Sequence, residues 1–179
     1  MIAEIRYIRA SLYFRLTNLY GAVPFFTEDI TLEESRSVSR TDRETIISFI
    51  HQELEDIKDA LPTRDQLPEE DKGKITKGAV CALQARVYLM DSDWNNVMLY
   101  CDNLMNKQGE YGTYALFPDY AGLFDEANEY NEEIIMDRSY VQLITWGEMV
   151  DMIPLSRGGR AVNRVPQQSL VDTYLMLSG

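Results

Sequence analysis

Apolar side chains recur at helical spacing in the first part of the chain. Between residues 2 and 20 they lie three or four positions apart, the repeat of one helical face: Ile5, Ile8, Leu12, Leu16 and Leu19. Gly21 follows directly and Pro24 prevents the helix from resuming, so the first predicted helix ends at Tyr20. The next residues, Val-Pro-Phe-Phe over 23–26, are predicted to be extended and to lie on an apolar surface.

A second helix is predicted after an aperiodic loop over 27–40. Thr41 and Glu44 have the spacing of a capping box, in which each residue satisfies a backbone amide of the other. Pro62 ends the helix. Its apolar face repeats every three or four residues: Ile46, Ile50, Leu54, Ile57 and Leu61.

Two further helices are predicted after a charged connector over 63–74. The third opens at Ile75 or Thr76, and Asp91–Asp93 separates it from the fourth, Trp94–Lys107, which Asp93 caps and Gly109 closes. So short a turn makes the two helices antiparallel. The residues expected to point inward from the third helix are Val80, Leu83, Val87 and Met90, with Ala79, Ala82 and Ala85 permitting close approach.

This antiparallel arrangement sets Cys81 and Cys101 at similar heights on the third and fourth helices. They could form a bridge if both faced the seam between the helices. Two buried free thiols are the favoured interpretation.

The regular pattern ends after residue 109. The following residues are rich in aromatic side chains, and only 132–136, Glu-Glu-Ile-Ile-Met, is predicted to be a short strand. Residues 141–166 lack periodicity, and irregular segments of this length are often functional. The fold class is therefore mainly α, with a helical scaffold over 1–109 and an irregular, aromatic-rich region over 110–179.

The composition and charge of the chain limit the classes of partner that it can bind. The chain has 179 residues, 45% of them hydrophobic, which suits one domain or a large part of one. A formal net charge of −12 disfavours nucleic acid and anionic lipid as partners. The sequence has neither an apolar run long enough to span a bilayer nor a secretion signal. Because the helical pattern begins and stops without caps, we expect the chain to be a piece of a longer protein.

Sequence motifs for catalysis or cofactor binding are weak. His51 is the single histidine, and a solvent-facing or half-buried helix position is its favoured interpretation. Gly73 and Lys74 lack the rest of a phosphate-binding loop. The acidic stretch 125–133 has a calcium-loop composition, but Tyr130 and Met136 replace the required glycine and acid. Solvated charge is favoured there, with an adventitious calcium site as the alternative. The sequence predicts no enzyme, catalytic residue, metal site or cofactor.

Helices three and four resemble a tetratricopeptide unit, whose repeats form a right-handed helical scaffold. Taken with its surroundings, the chain resembles the SusD/RagB family of outer-membrane, glycan-capturing lipoproteins. Several segments carry the resemblance, in the family's order: Arg9–Phe26, Thr41–Pro62, Gly73–Met105, Tyr114–Met136 and the closing stretch from Pro166 to Gly179.

The resemblance implies a non-catalytic protein on the cell surface, held in the outer membrane by a lipid anchor that this chain lacks. Cys81 and Cys101 lie inside predicted helices, so neither is the lipid-bearing residue. The family implies an oligosaccharide ligand and delivery to a SusC-type TonB-dependent transporter. The alternative is a cytoplasmic tetratricopeptide-type module that binds another protein.

The ligand site is predicted in the irregular region, on residue chemistry and not on a family motif. Trp146 lies in an aperiodic loop and could stack on a sugar ring, whereas Trp94 opens a helix and is predicted to be packing. A structural role for Trp146 is equally compatible with its position. The remaining predicted ligand-binding residues offer groups that bond hydroxyls: Tyr140, Gln142, Arg157, Arg160 and Asn163.

Overall fold

Four long helices dominate residues 1–137, the part of the chain that a computed structural model describes. Helix α1 is Ile2–Tyr20, α3 is Arg43–Ile57, α4 is Lys77–Met90 and α5 is Trp94–Asn106, while α2 (Leu32–Ser35) and α6 (Gln108–Tyr111) are single turns. Strand β1, Val23–Pro24, pairs antiparallel with β2, Arg40–Thr41. The mainly α fold predicted from the sequence is confirmed.

The long helices pack as two pairs. Helix α1 packs on α3 and α4 packs on α5, and contacts of α1 and α3 with α4 join the pairs. The predicted inward face of α3 is confirmed, because Ile46, Ile50 and Leu54 are completely buried. The core at the centre of these helices also contains Tyr7, Ala10, Phe14, Val23, Ile57, Leu61, Ala79, Val80, Leu83 and Val87. Met90, predicted to point inward, is exposed at the end of α4.

Helix α1 buries the face opposite its regular aliphatic stripe. We call Ile5, Ile8, Leu12, Leu16 and Leu19 the α1 stripe; these side chains are 41–66% exposed. The buried residues of the helix are Tyr7, Ala10, Phe14 and Thr17. Small side chains at Ala10 and Thr17 allow close approach, and the rings of Tyr7 and Phe14 supply the apolar area. Helix α1 is therefore apolar on both faces.

An ion-pair cluster also joins α1 to α3. Glu53 is buried on α3, with its side chain 4% exposed. Arg6 donates to Glu53 Oε2 at 2.9 Å, and Arg9 Nε donates to Glu53 Oε1 at 3.0 Å. Arg6 also reaches Asp56 at 3.1 Å. Two guanidinium groups bond to one buried carboxylate, so the negative charge of Glu53 is compensated although water does not surround it.

The predicted helix starts are partly confirmed. Thr76 and Asp93 cap α4 and α5, accepting from the amides of Ala79 and Asn96. The capping box predicted at Thr41 is wrong. Thr41 pairs with Val23 in the short ladder, and the N-cap of α3 is Asp42, which makes no side-chain capping bond.

The predicted loop over 27–40 contains helix α2. Thr31 and Glu34 form a capping box at its start, with the Glu34 amide donating to Thr31 Oγ1 at 3.2 Å. The same spacing that failed at Thr41 therefore succeeds here, where no strand competes for the backbone.

The observed helix ends agree less well with the sequence-based predictions than the helix starts do. Gly21 closes α1 as predicted, with φ +69°, a conformation that glycine adopts without a Cβ clash. Gly109 does not close α5; it lies inside α6, and Gly112 follows with φ +106°. The predicted strand over 132–136 is also wrong, because this segment forms turns, and its Glu132 and Ile134 carbonyl oxygens accept from the Ala115 amide and the Arg64 guanidinium instead of from a partner strand.

Cys81 and Cys101 are free thiols, as the favoured interpretation predicted, but only Cys81 is buried and Cys101 is half-buried. Cys81 is buried and donates to the carbonyl oxygen of Tyr100 at 3.2 Å across the α4–α5 seam. Burial raises the pKa of the Cys81 thiol to about 12. Among residues 1–137, no helix has the length and apolar character needed to cross a bilayer.

Candidate ligand-binding surface

The residues predicted to bind a ligand lie outside the described part of the chain. All of them follow residue 137, so their roles stay predictions: Trp146, Tyr140, Gln142, Arg157, Arg160 and Asn163. The geometry of the irregular region is defined for residues 112–137, which immediately precede them.

One arginine of the connector between α3 and α4 binds the end of the described part of this region. Arg64, just after α3, donates to the carbonyl oxygens of Tyr130 at 2.7 Å, Asn131 at 2.6 Å and Ile134 at 3.0 Å. We call residues 130–134 the carbonyl turn. A planar guanidinium presents several donors in fixed directions, so one side chain can gather carbonyls from a whole turn. No sequence pattern indicates this role, because Arg64 lies in a connector 66 to 70 residues away from its acceptors along the chain.

The conformation of the carbonyl turn is relevant to the alternative that the acidic stretch 125–133 binds calcium. Tyr130 has φ +59°, the left-handed conformation that glycine provides in calcium loops. The carbonyl oxygens of this turn face the Arg64 guanidinium. Within residues 1–137, no three His, Cys, Asp or Glu side chains come close enough together to hold a metal ion. An internal cation of the chain therefore organises this turn.

The first aromatic residues of the irregular region, which precede the carbonyl turn, pack against the helical scaffold. Tyr111 is buried at the end of α6. The Tyr114 hydroxyl lies 3.2 Å from the Thr76 hydroxyl, and the Arg64 guanidinium lies 5.6 Å from the Tyr114 ring centre. Burial raises the pKa of Tyr114 above its ordinary value. These contacts attach the start of the irregular region to α4.

Farther along, two aromatic residues face solvent. Tyr120 is 71% exposed and Phe124 is 75% exposed, although their rings meet edge to face with centres 5.7 Å apart. We call these two residues the aromatic pair. Their side chains contribute little to the core, so the pair is a candidate contact surface. The sequence showed that this stretch is aromatic but not which rings face outward.

His51 is half-buried between helices. Its Nδ1 lies 2.5 Å from Gln84 Oε1, and Gln84 Nε2 donates to the His51 carbonyl oxygen at 3.1 Å. Its ring stacks on Tyr88 with centres 4.0 Å apart. Both polar ends of the Gln84 side chain are therefore bonded to His51. The interpretation of His51 as a half-buried helix residue is confirmed.

The prediction that Trp94 is packing is wrong. Trp94 is 59% exposed at the start of α5, and Met98 and Met105 are exposed farther along the same helix. These residues recur at helical spacing, so they form one apolar face of α5. That face points away from α4.

The extended segment after α1 separates its two phenylalanines. Phe25 packs edge to face between Tyr13 and Phe49, with ring centres 4.9 Å apart on each side. Phe26 is exposed and lies with Pro24 beside the α1 stripe, where they line an open apolar groove. The prediction that this segment covers an apolar surface is confirmed for Phe25.

The chain is similar to known proteins in both sequence and structure. No protein-family model matches the chain. It is 32% identical over 142 residues to SusD-like protein P25 of Formosa agariphila, a match that covers 79% of this chain and 26% of that protein. The chain therefore spans about a quarter of the length of this curated relative.

Solved structures agree with the sequence match. A SusD-like protein of Bacteroides fragilis superposes with a TM-score of 0.68 and 27% identity, covering 79% of this chain and 27% of that one. A laminarin-binding SusD-like protein superposes with a TM-score of 0.67 and 29% identity, covering 75% of this chain and 29% of that one.

Proposed function

We propose that this chain, which belongs to the SusD/RagB family, is part of a non-catalytic protein that captures oligosaccharides at the outer surface of a cell. The observation that carries the proposal is the likeness to a laminarin-binding protein over three quarters of the chain, at 29% identity. A likeness of this extent includes the arrangement of the helices and part of their sequence.

The finer parts of the proposal concern the whole protein. We propose a lipid anchor in the outer membrane and delivery of the captured oligosaccharide to a SusC-type TonB-dependent transporter. In this arrangement residues 1–109 are the helical scaffold and residues 110–179 carry the ligand-facing loops. The acidic net charge supports an uncharged ligand over a polyanionic one, because like charges repel at long range.

The proposed ligand residues remain those of the irregular region. Trp146 would stack on a sugar ring, and Tyr140 and Gln142 would bond hydroxyl groups on one side of it. Arg157, Arg160 and Asn163 would supply donors on the other side. A site of this kind combines one flat apolar surface with a few polar groups that fix orientation.

The test is calorimetric titration of the full 179-residue chain with laminarihexaose, maltohexaose, xylohexaose and an oligogalacturonate. We expect at least one uncharged oligosaccharide to bind, and Trp146→Ala to weaken that binding more than about tenfold, equivalent to about 1.4 kcal/mol. Trp94→Ala is the matched control, because Trp94 is an exposed tryptophan on the scaffold.

Three outcomes would count against the proposal. If the chain bound none of the oligosaccharides, glycan capture by this chain would be refuted. Release of shorter sugars during incubation would show an enzyme. Equal effects of Trp146→Ala and Trp94→Ala would remove Trp146 from the site while leaving glycan capture in place.

A further inference from the structure

Two consecutive residues of the connector after α3 contact both ends of one segment of the irregular region. We call this segment, residues 113–134, the strap. At its first residue, Asp65 Oδ2 accepts from the Thr113 amide at 2.9 Å and from the Thr113 hydroxyl at 3.0 Å. At its last residues, the Arg64 guanidinium donates to the carbonyl turn. We call Arg64 and Asp65 the clasp, because these neighbours bind the two ends of the strap.

The two ends of the strap are also bonded to each other. The Ala115 amide donates to the Glu132 carbonyl oxygen at 3.1 Å, and the Phe117 amide donates to Glu133 Oε2 at 2.9 Å. The clasp and these two bonds close the strap into a loop whose ends lie side by side. A movement of one end therefore disturbs the contacts of the other.

The hydrophobic core does not hold the strap. Among residues 1–137, the core side chains and the half-buried hydrophobic side chains packed on them all lie outside the strap. Tyr114 contacts the start of α4, where its hydroxyl would lie 2.2 Å from a Cβ atom on Gly78 and lies 3.2 Å from the Thr76 hydroxyl. This contact is beside the clasp, because the Arg64 guanidinium lies 5.6 Å from the Tyr114 ring centre. The attachment of the strap to the helices is therefore concentrated at the clasp.

We propose that the strap opens and closes as one unit, with Arg64 and Asp65 as its lock, while the long helices stay folded. Buried apolar side chains stabilise the helices whether or not the clasp is made. Local opening costs the free energy of the contacts that it breaks, and those of the clasp are hydrogen bonds at exposed or half-buried positions. The proposal goes beyond oligosaccharide capture, because it describes a movement that requires no ligand.

Opening as one unit has a measurable consequence for the backbone amides of the strap. Amides that exchange hydrogen through a shared opening all report the free energy of that opening, wherever in the unit they lie. Suitable amides are hydrogen-bonded within the strap: Ala115 near its start, Leu123, which donates to the Asp119 carbonyl oxygen at 2.9 Å, and Ile134, which donates to the Asn131 carbonyl oxygen at 3.2 Å. Loss of either half of the clasp should change exchange at all three by a similar factor.

The test is amide hydrogen exchange, followed by NMR, on the full 179-residue chain and on two variants. Arg64→Ala removes the contacts to the carbonyl turn, and we expect exchange to rise at least about tenfold at Ala115 and Leu123 as well as at Ile134. Asp65→Ala removes the contacts to the first residue of the strap and should raise exchange at Leu123 and Ile134, at the middle and the opposite end. In the double variant the two factors should multiply at each amide, until the strap is fully open.

Arg43→Ala is the matched control. The Arg43 guanidinium also pairs with a carboxylate, that of Asp91, but both residues lie outside the strap. Its strap amides should therefore exchange as in wild type. The core amides of α3 and α4 should be unchanged in both clasp variants. Circular dichroism checks that each variant remains folded, and Asp65→Ala, a change at an exposed residue, decides alone if Arg64→Ala does not fold.

Three results would overturn the inference. A rise confined to residues 130–134 in Arg64→Ala and to residue 113 in Asp65→Ala would show that the two ends move independently. A rise in α3 and α4 equal to the rise in the strap would show that the strap opens only when the helices unfold. Unchanged exchange of the strap in both variants would show that the clasp is not its lock.

Discussion

Helices α3 and α1 have similar spacing of large aliphatic side chains but bury them differently. On α3, Ile46, Ile50 and Leu54 are completely buried. On α1 the equivalent stripe faces solvent, and a less regular face of aromatic and small residues lies against α3. Periodicity therefore identifies a helix and an apolar face, but it does not identify the side that meets the core.

The largest expected effect concerns the charges that join these two helices. In Arg6→Ala/Arg9→Ala, the buried Glu53 carboxylate loses both guanidinium partners, and we expect the free energy of unfolding to fall by about 4 kcal/mol. Urea unfolding followed by circular dichroism measures the loss. Arg15→Ala, on an exposed position of α1, is the control and should change stability by less than about 0.5 kcal/mol. A loss below about 1 kcal/mol in the double variant would mean that water reaches Glu53 and replaces its partners.

A matched pair of truncations tests the comparison directly. Ile50→Ala removes a completely buried side chain of α3 and should cost about 3 kcal/mol, through lost burial and the cavity left behind. Leu12→Ala removes an exposed side chain of the α1 stripe and should cost less than about 0.5 kcal/mol. Both are measured by urea unfolding. Equal losses in the two variants would show that the α1 stripe is as well packed in solution as the core of α3.

Polar substitution of the α1 stripe should change association more than stability. Wild type is expected to self-associate and to bind a hydrophobic dye, since the stripe and Phe26 line an open apolar groove. Leu12→Ser/Leu16→Ser should reduce both properties, as seen by light scattering and dye fluorescence, with the unfolding midpoint nearly unchanged. A monomeric wild type that binds no dye would contradict this expectation.

The smallest expected effect is a difference in reactivity between the two thiols of the α4–α5 pair. Cys81 is buried with its pKa raised to about 12, so its thiol stays protonated at pH 8, whereas Cys101 is half-buried. Iodoacetamide should modify Cys101 at least about tenfold faster than Cys81, because the thiolate is the reactive form. Mass spectrometry of the Cys81→Ser and Cys101→Ser variants assigns the two rates. Equal rates, or the absence of free thiol in the unreduced, denatured protein, would refute the assignment.

Short-range chemistry explains what could be predicted from the sequence. Gly21, Thr76 and Asp93 act on backbone groups within four residues, so their helix-ending and capping roles were visible in the chain. The buried face of α3 was also predictable, because that helix has only one strongly apolar side. Helix α1 has two, and tertiary packing decided between them.

The features that the sequence did not predict depend on distant partners. Thr41 was expected to cap a helix, yet Val23 draws it into a strand pair from 18 residues away along the chain. The expected strand over 132–136 gave way to turns beside carbonyls that Arg64 approaches across a sequence separation of 66 to 70 residues. Local propensity carries no information about contacts of this range. The ligand residues around Trp146 remain predictions, while the aromatic pair emerged only from its exposure.

The Arg64 contact to the carbonyl turn has a consequence for how this region responds to its surroundings. A turn built on a bound metal ion loses its order when the ion is diluted or chelated, whereas a covalently attached cation keeps a constant effective concentration beside its acceptors. The path of residues 130–134 should therefore be the same in the presence of a chelator and in calcium-rich medium, so that the order of this turn does not depend on the divalent cations around it.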